Sequence, residues 1–361
     1  MPTRAVRVTL YGSMRRVQRL TSPFLVALLL VILLISCGRD SNYYIVGSSE
    51  QQQELRELFQ ILDRNGDDAS ARVILLEHIA GHLLEAGHPE RMRVFLTSHV
   101  ESNPEDPYNA YYLLLVARNY NSDKMAQHYY QRILANYSDL SVRGKSVHFS
   151  ALTELLRLTE QPSVRIHYYQ DLLDRFRDRI DVGSTYYYMA KTHEELGEWD
   201  EAFAAYRRFL NYPETRILGS PDAHRLVHDR VSFYDSSRDW TMESLESLVG
   251  TLKSAIWRQD VRTLLRHKAD ENFFAMSWEQ EEYDSNSQIA FNLGSFLLRS
   301  RVRYAADLEM NSNAREAYLR TWGWSHRIRT WYLYFRRVDF PADPEIHGNW
   351  EWAGIYFGEA M

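Results

Sequence analysis

A chain of 361 residues has room for two or three domains, and 45% apolar with 25% charged residues is a globular balance, not a disordered one. Its 42 basic residues fall short of its 48 acidic ones, for a net charge of −6, which excludes a general nucleic-acid footprint. A single cysteine excludes an intrachain disulfide framework and any multi-cysteine zinc or iron–sulfur site.

Residues 1–36 carry the long apolar run. Arg15, Arg16 and Arg19 precede twelve apolar residues, Phe24 to Ile35, and the run leads into Ser36-Cys37-Gly38. A basic start, an apolar middle and a small boundary residue predict a secretory signal segment. As a helix the run spans about 18 Å against a hydrocarbon core of about 30 Å, so a permanent membrane span is the weaker reading. Leu34-Ile35-Ser36-Cys37 resembles the lipobox of bacterial lipoproteins. The resemblance implies cleavage before Cys37, lipidation at Cys37 and a lipid anchor in the cell envelope. Gly38 after the cysteine is compatible with the periplasmic side of the outer membrane. Met14 is as suitable a start as Met1. Residues 1–36 hold five Arg and no acid, so 37 basic and 48 acidic residues remain and the mature charge becomes −11. Such a surface adds no attraction to anionic lipid; acyl chains at about 0.8 kcal/mol per buried CH₂ are the membrane device.

Residues 37–69 read as a tether and a first helix. Ser48 and Gln51 have capping-box spacing, and Leu55, Leu58, Phe59 and Leu62 follow at helical intervals. Asp63 to Asp68 looks like the start of a calcium loop. Its glycine comes too early and Ile74 stands where a bidentate Glu is needed, so it reads as a turn.

Residues 70–213 form a series of helical pairs. The fullest runs Tyr186, Met189, Ala190, His193, Leu196-Gly197, Trp199, Ala202, Tyr206 and Phe209, with Pro213 behind it. Ala190 and Ala202 let two antiparallel helices touch, Gly197 permits the turn, and the aromatics fill the gap to the next pair. This resembles the tetratricopeptide repeat. The pattern recurs at Leu76, Ile79, Ala80, Leu83, Ala86-Gly87, Pro89, Met92, Leu96 and Pro104, and again around Asn121 with Leu113, Ala117, Tyr120, Ala126, Tyr130 and Ile133. A third, degenerate pair shows Phe149, Leu152, Leu156, Tyr169 and Leu172, with Arg165 where a small residue belongs. Four repeats exceed the three that a stacked solenoid needs.

The resemblance implies a concave groove, lined by the first helix of each pair, that takes an extended peptide or a partner helix. By position it carries Ile74, Glu77, Tyr108, Tyr111, Arg118, Asn119, Glu154, Arg157, Tyr187, Lys191 and Glu194. Tyr offers area at low entropy cost and Arg forks onto carboxylates; taken singly, each of these residues also reads as part of a solvated helix face. His78 and His82 lie four apart on one helix but lack a third ligand at a recognisable spacing, so no metal is expected.

Residues 214–240 read as a junction with a helix from Asp222 to Tyr234. Residues 241–361 follow as the last region, and eight of the nine tryptophans lie beyond residue 239, so the core there is built differently. A helix opening at Thr241 and running through Ile256 is expected, then one at Asp260–Leu265 and one over Gln288–Leu298. Strands are expected over Val302–Met310, Glu316–Trp324, Arg329–Phe340 and Asn349–Phe357. This order, with Leu248, Leu252, Ala255-Ile256, Asp260-Val261 and Leu264, resembles nuclear-transport-factor-2-like (SnoaL-like) domains. The resemblance implies an α+β cone with a curved antiparallel sheet and room beneath it for a small apolar ligand. Asp307, Tyr334, Asp339 and His347 are the polar pocket candidates, and Trp331, Trp350 and Trp352 read as core or rim.

The expected fold is therefore mainly α, a tetratricopeptide-type solenoid followed by an α+β cone. No phosphate loop, nucleophile elbow or zinc-protease motif occurs, so no catalytic residue and no cofactor is expected. The function expected is a membrane-anchored scaffold that binds a protein partner through the groove, in envelope assembly or transport. The alternative is a ligand-binding or catalytic cone positioned by the repeats.

Overall fold

The computed structural model describes residues 41–65, 67–278 and 293–358. The expected lipobox with Cys37 and the first part of the helix expected from Gln288 lie outside them. The described residues divide into two compact units, on either side of the boundary between His148 and Phe149, and thirteen α-helices with a five-stranded mixed sheet are found among them.

In the first unit α1 (Ser49–Asn65) begins with the expected capping box. Gln51 N donates to Ser48 Oγ at 3.2 Å and Ser48 N donates to Gln51 Oε1 at 2.9 Å. α2 (Ala69–Glu85) and α3 (Pro89–Ser102) follow as an antiparallel pair with Leu76, Ile79, Leu83, Met92 and Leu96 fully buried. Gly87 joins them at φ +79°. The His88 amide reaches back to Leu83 O and the Gly87 amide to Leu84 O, both at 2.9 Å, so two orphan carbonyls of α2 are satisfied. α4 (Asn109–Arg118) and α5 (Asp123–Asn136) repeat the arrangement. A short hairpin, β1 (Ser141–Val142) and β2 (Lys145–Ser146), turns at Arg143 and Gly144, both with positive φ, as a two-residue hairpin of this twist requires.

In the second unit α6 (Val147–Leu158) starts at the division and α7 (Pro162–Arg175) follows. Arg165, the residue that departs from the repeat pattern, pairs with Glu195 of α8 (Val182–Leu196). α9 (Trp199–Leu210) packs on α8 through Ala190 and Ala202, neither of which keeps any exposed surface. Gly197 between them sits at φ +73°, where nothing lies within 4 Å of an added Cβ, so its backbone conformation rather than space calls for glycine. α10 (Ala223–Asp235) closes the helical series.

α11 (Leu245–Arg258) starts four residues later than Thr241. Met242 instead exchanges backbone bonds with Trp350, at 2.9 and 2.7 Å, and Ser244 caps the helix through Ser247 N at 3.2 Å. α12 (Val261–Arg266), β3 (Phe274–Ser277) and α13 (Leu293–Arg299) precede β4 (Arg303–Tyr304), β5 (Glu316–Trp322), β6 (Thr330–Arg337) and β7 (Trp350–Phe357). The sheet order is β3-β7-β6-β5-β4. The expected purely antiparallel sheet is corrected: β3 joins β7 in parallel. β3 and β7 are separated by α13 and three other strands, so no hairpin fixes their relative direction, as it would for directly linked neighbours. The strand expected over Val302–Met310 is reduced to two residues, beyond which single bonds from Ala305 N to Arg320 O and from Glu309 N to Tyr318 O hold the chain at the edge.

Alternate residues give the sheet two apolar faces. Trp331, Leu333 and Phe335 pack on Leu248, Leu252, Ile256 and Leu297, while Tyr318, Tyr332, Tyr334 and Tyr356 form the other face with Phe274 and Trp278. At Gly354 an added Cβ would lie 2.6 Å from the Phe274 ring, so the missing side chain makes room for that ring.

Asp106 ties the first two helical pairs together. Its side chain has no exposed surface and accepts from Arg72 Nε at 2.6 Å, pairs with His99 Nε2 at 3.0 Å, and its other oxygen accepts from Tyr108 N at 2.9 Å. Burial alone would raise its pKa, but bonds from Arg72, His99 and the Tyr108 amide outweigh that and hold the carboxyl below the usual range. A depressed folded pKa stabilises the protein above the unfolded value of roughly 4, and the contribution is lost as pH falls through the folded value. Urea midpoints should therefore drop as pH is lowered from roughly 4. Asp106→Asn should cost about 3 kcal/mol at neutral pH and flatten that pH dependence.

Candidate partner-binding surfaces

In the first unit the expected groove residues divide into a bonded cluster and freely exposed positions. Glu77 of α2 receives the Tyr111 hydroxyl of α4 at 2.9 Å and, on its other oxygen, Arg143 of the hairpin at 2.6 Å. Tyr111 is buried, and burial with the Glu77 bond pushes its hydroxyl pKa up to about 12, so it stays a donor at neutral pH. Tyr108 is half-buried just before α4, and Arg118 is exposed at the other end. Asn119 braces the backbone, since its side chain donates to Leu115 O and its carbonyl accepts from Arg93, both at 2.8 Å. Ile74 is exposed beside a shallow cavity of about 540 Å³ that it lines with Ile61 and Leu75. Arg143 was not among the expected residues, because a two-residue turn far along the chain gives no periodic signal.

In the second unit Arg157 is exposed and paired with Glu154 one helical turn earlier, at 3.0 Å. Tyr187 leans against Phe209, with ring centroids 5.3 Å apart. Lys191 donates to Glu194 at 2.9 Å, and Glu194 also pairs with Arg230 of α10, whose guanidinium lies 5.5 Å from the Tyr206 ring centroid. The pairing of Glu194 with α10 is a long-range fact that helical spacing alone does not contain.

Arg230 also stands at the edge of a cleft of about 380 Å³ between α10 and the sheet. Arg225 and Asp229 come from α10, Arg336 and Arg337 from β6, and Glu351 from β7. Glu351 is 2% exposed; it accepts from Trp240 Nε1 at 2.8 Å and Arg336 Nε at 2.7 Å, which orients the arginine at the cleft wall. Arg225 donates to Asp229 at 3.1 Å. Arg225, Arg230 and Arg336 at this cleft are thus each paired with a carboxylate of the chain itself, Asp229, Glu194 and Glu351.

The four polar residues expected in a pocket beneath the sheet are dispersed. Asp339 lines the cleft and comes within 3.8 Å of His347, whose Nδ1 accepts from Phe340 N. Tyr334 belongs to the aromatic face of the sheet and bonds Glu316 at 3.3 Å, and Asp307 is exposed beyond β4. Trp331, Trp350 and Trp352 are all core residues. His78 is exposed and His82 lies 3.5 Å from Glu54; among the described residues no group of three or more His, Cys, Asp or Glu is placed to hold a metal. No helix of the described residues is long and apolar enough to cross a membrane.

Glu351→Ala removes the acceptor of a fully buried indole N–H and should destabilise the protein by about 3 kcal/mol in urea unfolding. Glu351→Gln keeps an acceptor oxygen and should cost less. No protein-family model matches the chain, and no curated protein matches it either.

Proposed function

We propose that the chain is a bacterial lipoprotein, anchored through Cys37, that scaffolds a protein partner along the first-helix faces of tetratricopeptide-like repeats. The observation that carries this reading is the spacing of side-chain contacts that join each of two helical pairs to the segment following it. Arg72 with Asp106, Glu77 with Tyr111, Asp181 with Thr215 and Asp200 with Tyr234 are each 34 residues apart. In a stacked repeat, equivalent positions of neighbours meet at one repeat length, and within each unit the first helices then offer a surface. The αL glycines at 87 and 197 support the same reading, since each closes a helical hairpin at the matching place.

On this reading Glu77, Tyr108, Tyr111, Arg118 and Asn119 in the first unit, and Arg157, Tyr187, Lys191 and Glu194 in the second, are the partner-binding residues. Arg118, Arg157 and Lys191 supply accessible charge, and the tyrosines supply area. The lipid holds the scaffold at the envelope, at the periplasmic side of the outer membrane, for assembly or transport. The C-terminal α+β region, with its helix–helix–strand–helix opening before the sheet, fits the nuclear-transport-factor-2-like cone.

The test is affinity capture of the membrane-extracted full chain followed by mass spectrometry. Arg118→Ala, Arg157→Ala and Lys191→Ala combined alter exposed side chains and should deplete the captured partners at least about tenfold, which is about 1.4 kcal/mol. An unchanged partner set would overturn the groove. Cys37→Ser should abolish acyl labelling, and persistent labelling would refute the anchor.

A further inference from the structure

A cavity of about 740 Å³ opens between the end of α11 and β4. Its apolar walls are Ile256, Trp257, Val302, Tyr304 and Trp322, and Arg301 and Arg303 line it as well. Among the described residues, none that lines it is acidic. Trp257 is 80% exposed, although its neighbour Ile256 is 2% exposed and anchors the helix in the core. An indole held open to water beside a cavity is a surface that an occupant can cover with gain, since a buried tryptophan removes roughly 150–250 Å² from solvent.

Both walls are held in place without an occupant. Gly323 has φ +86°, and an added Cβ would lie 2.6 Å from the Arg301 carbonyl oxygen, so the chain at Arg301 presses directly on the end of β5. Ser300 Oγ donates to Trp324 O at 3.0 Å. Gln259, just past α11, donates to Leu297 O at 3.3 Å and Ser300 O at 3.4 Å, which ties the helix end to the arginine-bearing segment. Lys253 donates to Ala306 O at 2.7 Å and lies 5.7 Å from the Tyr304 ring centroid. Such preformed walls reduce the ordering cost of binding.

The charge is local and positive. Residues 293–304 contain Arg299, Arg301 and Arg303 and no acid, within a chain of net charge −6. We propose that this cavity binds an anionic amphiphile, its apolar body against Trp257, Tyr304 and Trp322 and its carboxylate or phosphate on Arg301 and Arg303. The volume falls among cavities of roughly 300–1,000 Å³ that hold small ligands. A concave wall accepts an inserted molecule, whereas a flat bilayer surface is met by convex apolar side chains. None of Asp307, Tyr334, Asp339 and His347 lines the cavity, and none of the groove residues does, so its occupancy is independent of the scaffold reading.

The test uses the full chain held in amphipol and a diazirine-bearing stearate as the photoprobe, with adducts mapped by mass spectrometry. Adducts should fall at residues 256–257 and 301–304. They should decline at least tenfold in Arg301→Ala/Arg303→Ala and in Trp257→Ala, all of which alter exposed side chains. Excess oleate should compete and methyl oleate, which lacks the charge, should not. Competition by lysophosphatidylglycerol in place of oleate would assign the ligand to a phospholipid, and the reverse to a free acid; either supports the proposal. Labelling insensitive to both variants, or equal competition by methyl oleate, would overturn it. So would Trp257-dependent binding to phosphatidylglycerol vesicles with no photolabelling in their absence, which would make the patch a membrane contact.

Discussion

Burial of Phe340 among helices holds the second unit together. Its ring lies 4.9 Å from Phe233 and 6.0 Å from both Phe203 and Tyr234, and Phe203 itself stacks on Tyr234 at 3.9 Å. The chain leaves β6 at Arg337, and Val338 and Phe340 then enter the apolar cluster built by α8, α9 and α10. Two cores, one helical and one against the sheet, are thereby joined by a few residues of backbone. Aromatic pairs contribute about 0.5–1.5 kcal/mol each beyond the area they bury.

The polar counterpart of that joint is Glu351. A carboxylate 2% exposed is tolerable because Trp240 and Arg336 both donate to it. Trp240 comes from the segment after α10 and Arg336 from β6, so the same carboxylate links helical and sheet regions and orients one wall of the arginine-lined cleft. Architecture and surface chemistry meet at these residues. The cleft follows from where the joint is made.

The helical series uses a different device, repeated along the chain. Glycines in the left-handed region end helices, small residues let helices touch, and polar contacts 34 residues apart hold a pair to the segment that follows it. Asp106 shows why such contacts bear on stability: its oxygens are shared among Arg72, His99 and the Tyr108 amide, and none of its side chain reaches solvent. Polar residues on first helices are thus of two kinds. Glu77, Tyr111 and Glu194 are committed to the stack, whereas Arg118, Arg157 and Lys191 reach solvent.

Local features were legible in the sequence because local rules decide them. The capping box at Ser48, the turn at Gly197, the buried Ala190 and Ala202, and the helix after Asp222 depend on spacing within a few residues. The helix-to-strand order of the C-terminal region was legible for the same reason, since period-two runs rich in aromatics differ from helical ones. Pairing was not legible. Tertiary structure alone decided that β3 runs parallel to β7, that Met242 joins Trp350 instead of starting a helix, and that Arg143 closes onto Glu77. It alone placed Asp339 beside the cleft, Tyr334 on an aromatic sheet face and Trp257 at a cavity wall. Periodicity specifies which face of an element is apolar; partners 30 to 110 residues away are chosen by how those faces close on one another, and no local rule carries that choice.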